Sequence, residues 1–220
     1  MKRILLVISL LFLFFIPPVK AQFDASTKLL NAGLGFGVSG PYNKRIADYD
    51  MKFALPMYVS VEQGIKNFSL APEYASYITI GAFLQYHNQY VYKDIVAQNQ
   101  SFKYEVHKNY HFIVPALMAN FHVTPFLEDA DINFDFSGFD IYGGVRAGAI
   151  IQLYRSNFEN DPNIVDVQEG NVVVRDSFFN LGLGLTAGAR YYFTPKLAVH
   201  GEVGFGLYTL STIGLSYRMN

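Results

Sequence analysis

In stretch after stretch of this chain, apolar residues hold every second position, and the positions between them are glycine, polar or charged. In "DIYGGVRAGAIIQLY", residues 140 to 154, Ile141, Val145, Ala147, Ala149, Ile151 and Leu153 alternate with Tyr142, Gly144, Arg146, Gly148 and Gln152. An extended strand turns successive side chains to opposite faces, so one face here is apolar and the other carries a lone arginine among glycines. A guanidinium buried without a partner costs several kcal/mol. Arg146 therefore has to meet an acid, and the rest of the chain has to supply one.

The same period recurs. Leu30, Ala32, Leu34, Phe36 and Val38 alternate with Asn31, Gly33, Gly35 and Gly37. Phe53, Leu55, Met57, Val59 and Val61 alternate with Ala54, Pro56, Tyr58, Ser60 and Glu62. Phe179, Leu181, Leu183, Leu185, Ala187, Ala189 and Tyr191 face away from Asn180, Gly182, Gly184, Thr186, Gly188 and Arg190. Val199, Val203, Phe205 and Leu207 stand against Ala198, His200, Glu202, Gly204 and Gly206. Eight strands are predicted, at 29–38, 52–64, 74–89, 108–123, 139–155, 177–193, 196–207 and 209–219. The third and fourth alternate less cleanly, and their registers stay open. Most are as long as the ~9–11 residues a tilted strand needs to cross a bilayer. Sixteen Tyr, twenty Phe and eighteen Gly suit many strands and turns better than a helical bundle.

The connections alternate in length. "SGPYNKRIADYD", "QYVYKDIVAQNQSFKYEVHK" and "RSNFENDPNIVDVQEGNVVVRD" are long and polar, whereas "IKNFSLAPE" and "FTPK" are short. Long loops at one end and short turns at the other belong to transmembrane barrels. The acidic link 124–138 is long for its side. If the apolar face meets lipid, the other looks into the barrel, and Arg146 and Arg190 share the lumen with Glu62, His200 and Glu202. A closed barrel leaves no unpaired edge in the bilayer, and eight strands enclose a space that side chains can fill. Pro56 and Pro115 count against this reading, since a proline cannot donate to a ladder and prefers edges or bulges.

The N-terminus "MKRILLVISLLFLFFIPPVKAQ" has a basic start, an apolar stretch from Ile4 to Ile16 and small residues before Gln22. It reads as a secretory signal peptide over 1–21, cleaved before Gln22, with 22–220 as one barrel domain. Cleavage removes Lys2, Arg3 and Lys20 and no acid, which takes the formal charge from −1 to −4. That balance gives no support to a nucleic-acid partner, and the absence of cysteine excludes disulfides and thiolate-ligated metal.

The segments "STKLLNAGLGFGVSG", "LPMYVSVEQGI", "GARYYFTPKLAVHGEVGFGL" and "LSTIGLSYRM" together resemble the outer-membrane protein β-barrel domain family, the small OmpX/OmpA-like barrels of Gram-negative bacteria. The resemblance spans residues 23 to 219. It implies an all-β, eight-stranded antiparallel up-and-down barrel in the bacterial outer membrane, monomeric, with variable surface loops. Its partners would be outer-membrane lipid, the barrel-insertion machinery and an extracellular partner reached through the loops. Members usually end on an aromatic that the insertion machinery reads; here the chain ends Tyr217-Arg218-Met219-Asn220.

No catalytic, cofactor or metal set stands out. His87, His107 and His111 fall in or beside the predicted 87–108 loop, where solvated histidines are the plain reading; His122 falls at a strand end. Tyr86, Tyr90, Tyr110, Phe121, Tyr154, Tyr191 and Tyr192 fit aromatic girdles. "VVV" at 172–174 predicts a hairpin rim able to pair with a partner strand. The expected role is structural or interactive, with a filled lumen. The alternatives are a narrow pore for small solutes, a lipid-modifying barrel enzyme and a secreted soluble ligand-binding barrel.

Overall fold

The computed structural model describes residues 26–38, 50–71, 74–96, 103–129, 136, 138–159, 178–205 and 209–219. The predicted signal peptide, most of the predicted loops and Val172–Val174 lie outside the described residues. The strands are β1 (Lys28–Val38), β2 (Asp50–Phe53), β3 (Met57–Ala71), β4 (Tyr74–Val96), β5 (Lys103–His122), β6 (Phe139–Glu159), β7 (Phe178–Tyr192), β8 (Leu197–Phe205) and β9 (Thr209–Arg218).

Every pairing is antiparallel, and the sheet closes on itself because β4 pairs both β3 and β5 while β1 pairs both β3 and β9. β2 and β3 are one barrel strand interrupted by Ala54–Pro56. Both pair with β4, as Phe53↔Gln89 and Met57↔Tyr86, so one residue of β2–β3 is extra. The interruption sits at Pro56, whose carbonyl still accepts from Gly35 N at 2.7 Å. The barrel thus has eight strands, connected in sequence around the wall.

The second proline is handled differently. On the β6 side the ladder runs Ile113↔Ile151, then resumes at Ala116↔Gly148, and skips Pro115, which brings no N–H. Gly148 lets the two backbones close there: a Cβ on it would meet the Pro115 carbonyl oxygen at 2.3 Å.

The two strands with open registers now have them. Tyr77↔His122 continues without a shift to Val96↔Lys103, so β4 and β5 reach past their predicted ends at 89 and 108. His87, His107 and His111 are therefore strand residues, and the reading of a loop across 87–108 is corrected. β6 also runs on to Glu159. The 124–138 link is partly regular: α1 (Thr124–Asp129) makes one turn, with Leu127 N donating to Val123 O at 3.1 Å. Thr124 Oγ1 accepts from Ile141 N at 2.6 Å, which ties this turn to the start of β6. The "FTPK" turn closes through Thr194 Oγ1, which accepts from Leu197 N at 2.8 Å.

Burial is inverted relative to a water-soluble barrel. The wall's outer surface carries Leu117, Val145, Phe179, Leu181, Leu183, Leu185, Val203, Phe205 and Leu215, each more than half exposed. Inside lie Asn31, Ser60, Glu62, Thr79, Gln85, Asn120, His122, Asp140, Arg146, Arg190, His200, Glu202 and Ser216, all buried. An apolar cluster of Leu29, Tyr192 and Ala198, with Tyr77 against it, packs at the end where β1 begins and β7 ends.

Candidate functional site: the polar lumen

The five lumen residues read from sequence, Glu62, Arg146, Arg190, His200 and Glu202, are all buried inside the barrel. The geometry divides them into two ion-paired groups and one imidazole bridge.

The first group centres on Arg190. One terminal nitrogen binds Glu62 Oε1, and the other, NH1, reaches Asp140 Oδ2 at 2.8 Å. The Glu62 carboxylate is held by four strands. Asn31 Nδ2 donates at 2.7 Å, Asn120 Nδ2 at 2.8 Å and Thr79 Oγ1 at 3.0 Å, in addition to the arginine. Asp140 is held on its other oxygen by His122 Nδ1 at 2.6 Å, and His122 Nε2 lies 3.1 Å from Thr79 Oγ1. Carboxylates with several donors and a guanidinium are the arrangement that lets buried charge survive desolvation. The Arg190 guanidinium also lies over the Tyr142 ring, 4.1 Å from its centroid.

In the second group Arg146 NH2 binds Glu202 Oε2. Tyr142 donates to Glu202 Oε1 at 2.8 Å, and Thr212 donates to Oε2 at 3.3 Å. Arg146 lies over Phe83 at 4.3 Å. The partner that the sequence demanded for this arginine is thus Glu202, supplied by β8. Gly188 makes room for it: a Cβ there would meet the Tyr142 ring at 2.7 Å and Glu202 Cγ at 2.9 Å. His200 bridges the remaining wall. Its Nε2 meets the Tyr58 hydroxyl, and Ser216 Oγ lies 2.8 Å from its Nδ1.

Asn31, Tyr58, Thr79, Asn120, His122, Asp140 and Tyr142 belong to this network and were not singled out from sequence. Asp140 and Tyr142 share the Arg146 face at period two and were legible in that alternation. Thr79, Asn120 and His122 sit on β4 and β5, where the alternation did not fix a face.

Thr79, His122 and Asp140 line up as hydroxyl, imidazole and carboxylate, the sequence of groups that activates a nucleophile. The surroundings argue otherwise. Thr79 is 1% exposed and its oxygen already donates to Glu62. The three act as hydrogen-bonded filling. His87 is also buried, on β4, where it stacks on Phe112 with ring centroids 5.9 Å apart; its reading as a solvated histidine is corrected. His111 lies on the outer face of the wall, with Nδ1 2.8 Å from the Tyr86 hydroxyl and 3.1 Å from Asn88 Nδ2. The side chains of His107 and Tyr154 lie outside the described residues. Of the predicted girdle, Tyr110 and Tyr192 are buried and face inward, because they fall on the lumen parity of their strands. Among the described residues no cluster of three or more His, Cys, Asp or Glu is placed to hold a metal ion.

No protein-family model and no curated protein sequence matches the chain. Solved structures do. The N-terminal β-barrel domain of OprF from Pseudomonas aeruginosa is 13% identical, with a TM-score of 0.39 over 90% of this chain and 100% of that one. Ail, the attachment invasion locus protein of Yersinia pestis, in complex with the heparin analogue sucrose octasulfate, is 10% identical, with a TM-score of 0.42 over 88% and 97%. The outer membrane protein OprG from P. aeruginosa is 11% identical, with a TM-score of 0.39 over 93% and 99%. Identities this low carry nothing about activity.

Proposed function

We propose that this chain is a small integral outer-membrane β-barrel of bacteria, with a structural or surface-interaction role and a lumen filled by its own side chains. The observation that carries the reading is the inverted burial. Leu181, Leu183 and Phe205 are exposed at 73%, 77% and 74%, while Arg190 and Asp140 are each 1% exposed. In water, so broad an apolar wall would associate with anything apolar. In lipid it is the surface a closed barrel needs. The predicted signal peptide supports export across the inner membrane, and export is what separates an outer-membrane barrel from other closed sheets.

The paired lumen supports a filled barrel over an open pore. Glu62, Asp140 and Glu202 are held by Arg146 and Arg190: the Arg190–Glu62 contact spans the lumen from β7 to β3, Arg146–Glu202 joins β6 to β8, and Asp140 is the cross-strand neighbour of Arg190. Opening a path would break these pairs and leave buried charge unpaired. The loops, where an extracellular partner would bind, give the interactive half of the proposal its place.

The decisive experiment runs residues 22–220 from envelope fractions on a gel with and without boiling, then reconstitutes the folded species in a planar bilayer. A detergent-resistant, heat-shifted species without current steps supports the proposal. A chain soluble without detergent sinks the membrane reading. A heat-shifted species with regular current steps replaces the filled barrel by the narrow pore.

A further inference from the structure

One side of the lumen is left unbalanced by the ion pairs. Arg146 commits NH2 to Glu202, but its Nε–H has no acceptor among the described residues. Two other buried groups are in the same condition: the Gln85 side-chain amide nitrogen and the Thr186 hydroxyl. All three residues line one small cavity, together with Phe83, Gly184, Leu185, Gly204, Phe205 and Thr209. Gln85 is 2% exposed and Arg146 is 6% exposed. The Gln85 amide is oriented by Thr209, whose hydroxyl donates to its carbonyl oxygen at 3.4 Å. That bond leaves the NH2 end as the part of Gln85 still in need of a partner.

The cavity has about 10 Å³ of room for the centre of a water-sized sphere, enough for one particle. Two of its lining residues, Gly184 and Gly204, are glycine. A Cβ on Gly204 would come within 3.1 Å of Thr186 Cγ2.

We infer that this cavity is a binding site for a single halide-sized monatomic anion, held by Arg146 Nε–H, Gln85 Nε2–H and the Thr186 hydroxyl. Every group in need of a partner has a hydrogen to give, and only the hydroxyl also has lone pairs to offer. A water molecule would accept from two of them but brings two hydrogens of its own, which need acceptors. An anion brings none. Three donors around one space of this size, one of them on a guanidinium, match a charge that is compact and monatomic. Glu202 stands on the other bonding edge of Arg146, where Tyr142 and Thr212 also occupy its oxygens. Its charge is thus engaged away from Nε. The site does not depend on where the barrel resides.

The test uses the folded barrel in detergent with bromide as the probe. Crystals grown in sodium bromide should show one anomalous peak inside the barrel among Gln85, Arg146 and Thr186, and it should be absent from crystals of Gln85→Met. In solution, chloride or bromide should raise the midpoint of thermal unfolding at constant ionic strength, against sulfate, which is too large to enter. The rise should be about 3 to 5 °C for each tenfold of halide above its dissociation constant. Gln85→Met and Thr186→Val should abolish the rise while leaving the heat-shifted species in place. These variants spare the Arg146–Glu202 pair, so folding and halide binding are read separately. Density for water alone with no anomalous signal would overturn the inference. So would an equal rise in sulfate, or bromide present only at crystal concentration with no shift in solution.

Discussion

Asp140 Oδ1 lies 2.6 Å from His122 Nδ1 while its Oδ2 lies 2.8 Å from Arg190 NH1, so one carboxylate joins β5, β6 and β7 from inside the barrel. Asp140→Asn keeps the shape and removes the charge, leaving Arg190 with Glu62 as its remaining carboxylate. Breaking one member of a buried pair costs about 3–5 kcal/mol. The variant should lose its heat-shifted species at a markedly lower urea concentration than the parent, read by gel mobility across a urea series. An unchanged midpoint would mean that the Arg190–Asp140 contact adds nothing to stability.

The Arg146–Glu202 pair should behave as a unit. Arg146→Met and Glu202→Gln should each destabilise by roughly 3–5 kcal/mol, because each leaves a buried charge behind. The double variant should cost clearly less than the two effects combined, since with both charges gone neither is left buried without its partner. Equilibrium unfolding of all four proteins gives the coupling directly. Strict additivity would show that the two groups do not hold each other.

Much of this architecture was readable because a single period governs it. Arg146, Arg190, His200 and Glu202 sit on strands whose outward positions are apolar apart from Gly143 and Gly201, so their shared face followed from parity alone. β4 and β5 were harder. Gln85, His87 and Gln89 face the lumen in register with Phe83, and apolar residues on both parities blur the period. The lumen holds Phe83, Phe112 and Met118 among its polar groups. Arg146 stacking on Phe83 gives one physical reason for an aromatic inside. Strand ends were missed for a related cause. In 90–96 and 103–107 the charged Lys93, Asp94, Lys103 and Glu105 fall among tyrosines, valines and an isoleucine and break the apolar period, yet a strand pair needs only backbone partners to continue. The partner choice of Arg146, Glu202 and not Glu62, could not be read, since it depends on stagger around the wall and not on parity.

Gly188 marks how closely the Tyr142–Glu202 contact is fitted. Gly188→Val would drive a side chain into both the tyrosine ring and Glu202 Cγ, whose nearest atoms lie at 2.7 Å and 2.9 Å from a bare Cβ. Overpacking of this kind typically costs about 1–3 kcal/mol. The variant should unfold at lower urea than the parent, and pairing it with Tyr142→Leu should recover part of the loss. No recovery would place the clash at Glu202 Cγ and not in the ring.

The outer wall offers the sharpest separation between lipid and water. Leu183 is 77% exposed and lies within β7, between Leu181 and Leu185 on the same face. In a barrel surrounded by lipid, Leu183→Arg carries a charge into hydrocarbon and should cost about 2–4 kcal/mol near the bilayer midplane. In a barrel surrounded by water, the same change sits on an exposed surface and should stay within about 0.5 kcal/mol of the parent. Arginine placed one residue away, at Gly184, enters the cavity wall beside Arg146 and should be poorly tolerated in either setting. Refolding yield into lipid vesicles, with urea midpoints for parent, Leu183→Arg and Leu183→Ala, separates the two environments. A large loss for arginine beside a small one for alanine is the lipid result. Equal, small effects would mean that the apolar wall faces water, and the membrane proposal would fall with them.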